Sequence, residues 1–301
     1  MNHLVGLRDV SADELRDLLA LAVTLRARVR DEGRMSLLKG RSVGLLFLEP
    51  STRTRFSFEM AAKNLGADVL SMSAEGSSTV KGETLWDTAK TLRAHGAHAF
   101  VLRHKYVGSP HQLARRVDVP VINAGDGINE HPTQALLDAL TLLDRFGRID
   151  GLTVAIVGDL RHSRVTRSNC FLLPKLGARV LLAGPGPLCP DSMTALDPVG
   201  GRIEVRHTLD EVVREADAVM MLRIQRERMA PGMLPSDAEY ASLWGLKKLR
   251  PGQVVMHPGP MNRGLEIASD VADGPDSLIF QQKANGVAVR MAVLARVMGV
   301  A

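Results

Sequence analysis

Five consecutive residues, Ser51-Thr52-Arg53-Thr54-Arg55, set three hydroxyls and two guanidiniums where an apolar run gives way to a helical one. Val43-Gly44-Leu45-Leu46-Phe47-Leu48 reads as a buried strand that Glu49-Pro50 closes, and Phe56, Met60, Ala61 and Leu65 then recur at helical spacing until Gly66. The pentapeptide therefore opens a helix. A helix start offers unpaired backbone N–H groups and the positive end of the macrodipole, and guanidiniums fork onto phosphate oxygens. The chemistry this pattern suits is the holding of a phosphate; the plainer reading is an N-cap with solvated arginines.

Other apolar runs end in the same kind of residue. Run 98–102 leads to Arg103-His104, and run 119–123 to Asp126-Gly127 and then His131-Pro132-Thr133-Gln134. Farther on, run 153–158 leads to Asp159 and Arg161-His162-Ser163-Arg164, run 218–222 to Arg223-Ile224-Gln225, and run 253–256 to His257-Pro258-Gly259-Pro260. In open α/β sheets ligands bind beyond the carboxyl ends of the strands, so two anion sites are expected, one per half of the chain. His131 precedes a proline suited to the first helical position; a neutral imidazole there can donate to a carbonyl, and the Gln134 amide can hold an NH2 group. By itself such a histidine is more often a cap or a surface residue. Ser77-Ser78-Thr79-Val80-Lys81-Gly82-Glu83 is polar and unpatterned, hence an exposed loop whose Lys81 reads as solvated.

These groups must be carried by alternating strands and helices. Ser11 with Glu14 forms a capping box ahead of Leu15, Leu18, Leu19, Ala22 and Leu25, and Gly33 stops that first helix. Strand-like runs follow at 43–48, 67–71, 98–103, 119–123, 153–158, 179–183, 203–206, 218–223 and 253–257. The alternation predicts α/β architecture with parallel sheets and helices on both faces. Pro132 to Phe146 is helical, and Gly147-Arg148-Ile149-Asp150-Gly151 marks a domain boundary. The last segment, Ala284 to Met298, is helical too and is expected to pack back on the first domain.

At 301 residues and 45% apolar composition the chain has material for two ordinary cores. The net charge of +5 is scattered, without basic runs or interleaved aromatics, which fits a small acidic substrate better than nucleic acid. No apolar run reaches the roughly 20 residues of a membrane helix and no signal peptide is read, so a cytoplasmic location is expected. Cys170 and Cys189 match no metal spacing, and reduced thiols are the default. There is no G-x-x-x-x-G-K-[ST], no complete G-x-G-x-x-G after a strand and no G-x-S-x-G, so no cofactor, metal or covalent nucleophile is expected.

Taken together, Phe47-Leu48-Glu49-Pro50-Ser51-Thr52-Arg53-Thr54-Arg55, Lys81-Gly82-Glu83-Thr84, Arg103-His104, His131-Pro132-Thr133-Gln134, Gly158-Asp159-Leu160, Arg223-Ile224-Gln225 and His257-Pro258-Gly259-Pro260 resemble the aspartate/ornithine carbamoyltransferase family. Within it the chain is more similar to the aspartate branch, because ornithine members carry a cysteine in the late motif and lack an arginine pair suited to a dicarboxylate. The resemblance implies two doubly wound parallel-sheet domains joined by a bridging helix. Residues 1–146 with the C-terminal helix 284–301 would bind carbamoyl phosphate, and 147–283 would bind aspartate. It implies carbamoyl transfer to L-aspartate, an early step of pyrimidine synthesis, in a homotrimer whose sites are shared between subunits. Ser51, Thr52, Arg53 and Thr54 would hold phosphate, Arg103 would bridge phosphate and carbonyl, and His131 would hydrogen-bond the carbonyl oxygen. Gln134 and the backbone carbonyls of Pro258 and Gly259 or Pro260 would hold the NH2 group, while Arg164, Arg223 and Gln225 would grip the aspartate carboxylates. Ser77 and Lys81 would come from the neighbouring chain.

This chain departs from some relatives at Val80, where they carry a second lysine, and after Gly259, where Pro260-Met261-Asn262-Arg263 replaces a Leu-Pro-Arg ending. Transfer to ornithine or a modified amino acid, a catalytically silent scaffold and a simple anion-binding module are the alternatives. A regulatory chain or a dihydroorotase-type partner is compatible with all of this.

Overall fold

The computed structural model describes residues 1–73, 83–230, 232–234 and 236–301. Two units are distinguished: one comprises Met1–Leu136 with Asn285–Ala301, the other Leu137–Ala284.

The first unit opens with α1 (Ala12–Glu32). Ser11 accepts from the Glu14 amide and Glu14 reaches back to the Ser11 amide, so the capping box closes as expected, and Leu15, Leu18, Leu19, Ala22 and Leu25 form the buried stripe. Next come β1 (Ser42–Phe47), α2 (Thr52–Asn64), β2 (Asp68–Ser73), α3 (Leu85–Ala94), β3 (Ala99–His104), α4 (Ser109–Ala114) and β4 (Val121–Asp126). The four strands are parallel and lie in the order β2-β1-β3-β4. After Ser42 the central strand β1 is apolar or glycine throughout, as a parallel strand covered on both faces must be, whereas the edge strand β2 carries Asp68 and Ser71. Leu46, Phe100, Leu102 and Val121 meet Ala89, Leu92 and Leu113 in the core.

The apolar positions of α2 divide differently from the expected stripe. Thr54, Phe58, Ala61 and Ala62 are buried, whereas Phe56 and Met60 are 54% and 45% exposed. Residues 54, 58, 61 and 62 follow the helical repeat toward the core, which leaves the 56/60 pair on another face.

Between the units in sequence runs α5 (Pro132–Phe146). The second unit continues with β5 (Thr153–Val157), α6 (Arg164–Leu172), β6 (Arg179–Ala183), β7 (Ile203–Arg206), α7 (Leu209–Glu215), β8 (Ala218–Met221), α8 (Asp237–Leu243), β9 (Val254–Met256) and α9 (Ser269–Ala272). Its five strands are again parallel, in the order β7-β6-β5-β8-β9, around Ala155, Val157, Leu181, Val219, Met221 and Val255. The final helix, α10 (Ile279–Val297), returns the chain to the first unit. There Arg290 donates to Ser57 Oγ at 2.7 Å with its guanidinium 5.1 Å from the Phe58 ring, and Asn285 accepts from Arg26 at 2.6 Å.

Both sheets reverse direction once. From β1 the chain places β2 on one side and β3 on the other; from β5 it places β6 on one side and β8 on the other. Such a reversal opens a crevice at the carboxyl ends of the two central strands. The crevices thus fall at β1/β3 and β5/β8.

Candidate active site

At the first crevice β1 delivers the pentapeptide. Ser51 is the N-cap residue of α2 by conformation, with no hydrogen bond from its hydroxyl to the helix, so the cap expected from its side chain is not made. Thr52 and Arg53 are exposed, Arg55 is half-buried with its guanidinium 5.3 Å from the Phe56 ring, and Thr54 is buried. A helix start whose hydroxyls are not spent on capping is a ready anion site.

Across the crevice, Arg103 stands opposite Phe47 in the β1/β3 register, and the Leu48 amide donates to its carbonyl at 2.9 Å. Its guanidinium donates to the Ala124 carbonyl of β4 at 3.2 Å and lies 3.5 Å from Glu49. The side chain is thereby held at the strand ends.

His131 and Gln134 are both buried at the start of α5, with Pro132 at the first helical position as expected. The loop that delivers them is built around Asp126, which is fully buried. It accepts from the Gly108 amide at 2.7 Å, the Glu130 amide at 3.1 Å, and the side chains of Asn123 and Asn129 at 2.8 and 3.1 Å. Glu130 in turn accepts from the Leu7 amide at 2.9 Å. Beside this loop the half-buried His104 takes the Tyr106 N–H on Nδ1 at 3.0 Å, and burial pushes its pKa below the ordinary value.

At the second crevice Asp159 links the segments that follow β5 and β8. Its carboxylate accepts from His162 through the backbone amide at 3.2 Å and Nδ1 at 2.9 Å, and from the Gln225 amide at 3.1 Å. The two segments also meet through Arg228, which donates to the His162 carbonyl at 3.2 Å. The approach is close: at Gly158, with φ +127°, a Cβ would sit 2.7 Å from the Leu222 carbonyl. Arg164 is buried at the first position of α6, behind a Ser163 cap. Arg223 is half-buried and paired with Glu227, which holds the guanidinium pKa above its ordinary value.

In the same unit β9 runs into Pro258, Gly259 and Pro260. Gly259 has φ +74°, the left-handed region where glycine is at ease, and the Gly259–Pro260 peptide is cis. Arg263, in the divergent stretch, is exposed and paired with Asp273 through both nitrogens at 2.6 and 2.8 Å.

The expected residues therefore group as follows: Ser51, Thr52, Arg53, Thr54, Arg103, His131 and Gln134 in the first unit, and Arg164, Arg223, Gln225, Pro258, Gly259 and Pro260 in the second. Ser77 and Lys81 lie outside the described residues. Asp126 and Asp159 are not among the expected site residues; their one sequence signal is an acid at the end of an apolar run, beside arginines only in the case of Asp159. Among the described residues no group of three or more His, Cys, Asp or Glu is gathered as a metal site requires. Cys170 and Cys189 are free and buried, and burial pushes the Cys189 thiol up to about 12.

Comparison with known proteins decides the family. The carbamoyl-P binding domain of aspartate/ornithine carbamoyltransferases matches residues 2–144, and their Asp/Orn binding domain matches 150–297. The chain belongs to the aspartate/ornithine carbamoyltransferase family. It is 53% identical to the aspartate carbamoyltransferase catalytic subunit of Salinispora arenicola over 99% of this chain and 98% of that one. Among solved structures it resembles the aspartate transcarbamoylase of Trypanosoma cruzi in complex with N-(phosphonacetyl)-L-aspartic acid, at TM-score 0.89 and 32% identity over 97% of this chain and 94% of the other. The ornithine carbamoyltransferase of Pyrococcus furiosus superposes as well, with TM-score 0.88 and 31% identity over 99% and 97% of the two chains. The fold is common to both branches, so the choice of acceptor must come from side chains.

Proposed function

We propose that the chain transfers the carbamoyl group of carbamoyl phosphate to the α-amine of L-aspartate, giving N-carbamoyl-L-aspartate and phosphate, a step of pyrimidine synthesis. The observation that carries this reading is the pairing of a phosphate-type helix start with Arg103 at one reversal point and of Arg164 with Arg223 and Gln225 at the other. Two arginines in the second unit suit two carboxylates, and the 53% identity lies with an aspartate enzyme.

In this reading residues 1–146 with 284–301 bind carbamoyl phosphate and 147–283 bind aspartate. Ser51, Thr52, Arg53 and Thr54 hold the phosphate. Arg53, Thr54, Arg103 and His131 face the carbonyl oxygen, whose negative charge grows as the amine nitrogen bonds to the carbamoyl carbon. Each such donor is worth about 3–4 kcal/mol in the transition state. Gln134 and the Pro258 and Gly259 or Pro260 carbonyls accept from the carbamoyl NH2. The carbon–oxygen bond to phosphate then breaks, and the leaving phosphate takes the proton released by the amine. Holding both substrates in line supplies much of the remaining acceleration. No step uses a metal or an organic cofactor.

The assembly proposed is a cyclic homotrimer in which Ser77 and Lys81 of one chain complete the neighbour's site. Exposed Phe56 and Met60, one turn apart on α2, support a contact between chains near the phosphate cradle. A regulatory chain or dihydroorotase-type partner would join such a trimer. No helix among the described residues is long and apolar enough to cross a membrane, which agrees with the proposed place in the cytoplasm.

The test is formation of carbamoyl-aspartate by the purified chain, with L-ornithine as the competing acceptor. Turnover with aspartate alone is expected. Preference for ornithine moves the chain to the other branch, and no turnover with either acceptor leaves a silent scaffold.

A further inference from the structure

Inside the second unit a line of four fully buried polar residues runs from α5 to the loop after β9. Asp138, one turn past Gln134 on α5, accepts from Gln282 Nε2 at 2.8 Å and from Asn169 Nδ2 at 2.9 Å. The other end of the Gln282 amide accepts the His257 N–H at 2.8 Å. Asp138 and Asn169 are 0% exposed, Gln282 and His257 1%. The orientation of Gln282 is dictated by its neighbours: a carboxylate demands the NH2 end and an N–H demands the oxygen.

His257 passes the constraint on. Its Nδ1 accepts the Gly259 N–H at 2.8 Å, so the ring proton sits on Nε2, which faces Glu266 at 3.2 Å. Glu266, 0% exposed, also receives the Asn262 amide at 2.5 Å. The turn at Pro258 and Gly259 is thus tied through the amides of His257, Gly259 and Asn262.

We infer that Asp138 is a positioning residue: through Gln282 and the His257 amide it fixes the direction of the Pro258 and Gly259 carbonyls, and so sets the preference for a carbamoyl over an acyl phosphate. The inference rests on the proposal that these carbonyls accept from the carbamoyl NH2. The physical reason is that a carbonyl discriminates NH2 from CH3 only when it cannot turn away from the apolar group. Removing the Asp138 carboxylate takes the acceptor from Gln282 Nε2. The amide is then free to rotate, and the buried His257 N–H loses its partner.

The experiment measures dissociation constants for carbamoyl phosphate and acetyl phosphate by calorimetry on wild type, Asp138→Ala and Gln282→Met, the second variant guarding against a first that does not fold. Acetyl phosphate presents a methyl where the substrate has NH2. Wild type is expected to prefer carbamoyl phosphate, and the variants to lose about tenfold of that preference, with acetyl phosphate binding unchanged. Equal weakening of both ligands means collapse of the pocket and overturns the inference. So does full discrimination in a folded variant. A wild type that binds both phosphates equally instead overturns the carbonyl assignment itself.

Discussion

Arg103 is joined to Ala124 across neighbouring strands, its Nη1 donating to the Ala124 carbonyl at 3.2 Å. The other terminal nitrogen lies 3.5 Å from Glu49, so the protein holds both prongs of the fork in place. Arg103→Lys keeps the charge and loses the fork, so kcat/KM is expected to fall about a hundredfold while the melting temperature stays within a few degrees. Steady-state kinetics with near-normal activity in the lysine variant would remove Arg103 from the reaction.

His131→Ala should lower kcat by about a hundredfold or more and weaken carbamoyl phosphate binding far less, because its hydrogen bond strengthens only as the carbonyl oxygen charges. Binding is read by calorimetry and kcat under saturation. A variant with normal kcat and a raised KM places His131 in ground-state binding instead.

Arg223 is held by Glu227. Arg223→Ala is expected to raise the KM for aspartate more than about tenfold, the loss of a charged partner, and to leave carbamoyl phosphate affinity unchanged. An unaltered aspartate saturation curve would put the carboxylate site elsewhere.

Stability should fall in mild acid partly through His104. Its pKa lies below the ordinary 6.5, first because burial disfavours the charged ring and second because Lys105 is near. The unfolded chain therefore takes up the proton first: His104 costs nothing above about pH 6.5, destabilises increasingly below it, and adds no further loss once pH passes below the folded-state value. Urea midpoints at about pH 7.5 and about pH 5.5 should differ less in His104→Gln than in wild type. They need not become equal, because burial shifts His3 in the same direction. An unchanged difference would clear His104 of the effect.

Shared sites predict rescue between two inactive chains. In the proposed cyclic trimer every site would pair the Arg53 of one chain with the Lys81 of the next. Equal amounts of Arg53→Ala and Lys81→Ala chains, dissociated and reassembled, give three quarters mixed trimers. Each has one intact site in three, so about one quarter of wild-type activity should return. Verified mixed trimers without activity would place both residues in one chain's site.

Much of the fold could be read from the residues because most strands carry an apolar run: run 43–48 is found as Ser42–Phe47, and 119–123 overlaps Val121–Asp126. Strand order could not, since pairing is decided by contacts far apart in sequence, and with it the two reversal points stayed hidden. Phe56 and Met60 read as helix-core residues because spacing alone does not say which of two apolar faces meets the sheet. The buried acids were the hardest to see. Asp126, Asp138 and Asp159 look like any surface aspartate in a string of letters, and only the amides gathered around them reveal their work. Arg263, in the stretch that departs from some relatives, is paired with Asp273.

The return of α10 has a consequence for the order in which the molecule can be completed during synthesis. Unit two is a single stretch, residues 137–284, whereas unit one needs residues 285–301 to give Ser57 its Arg290 and Arg26 its Asn285, partners 233 and 259 positions away. The part encoded first is therefore the part finished last. Until those closing residues emerge, the α2 helix waits without its Arg290 partner, and the later-encoded unit is the first that can close its core.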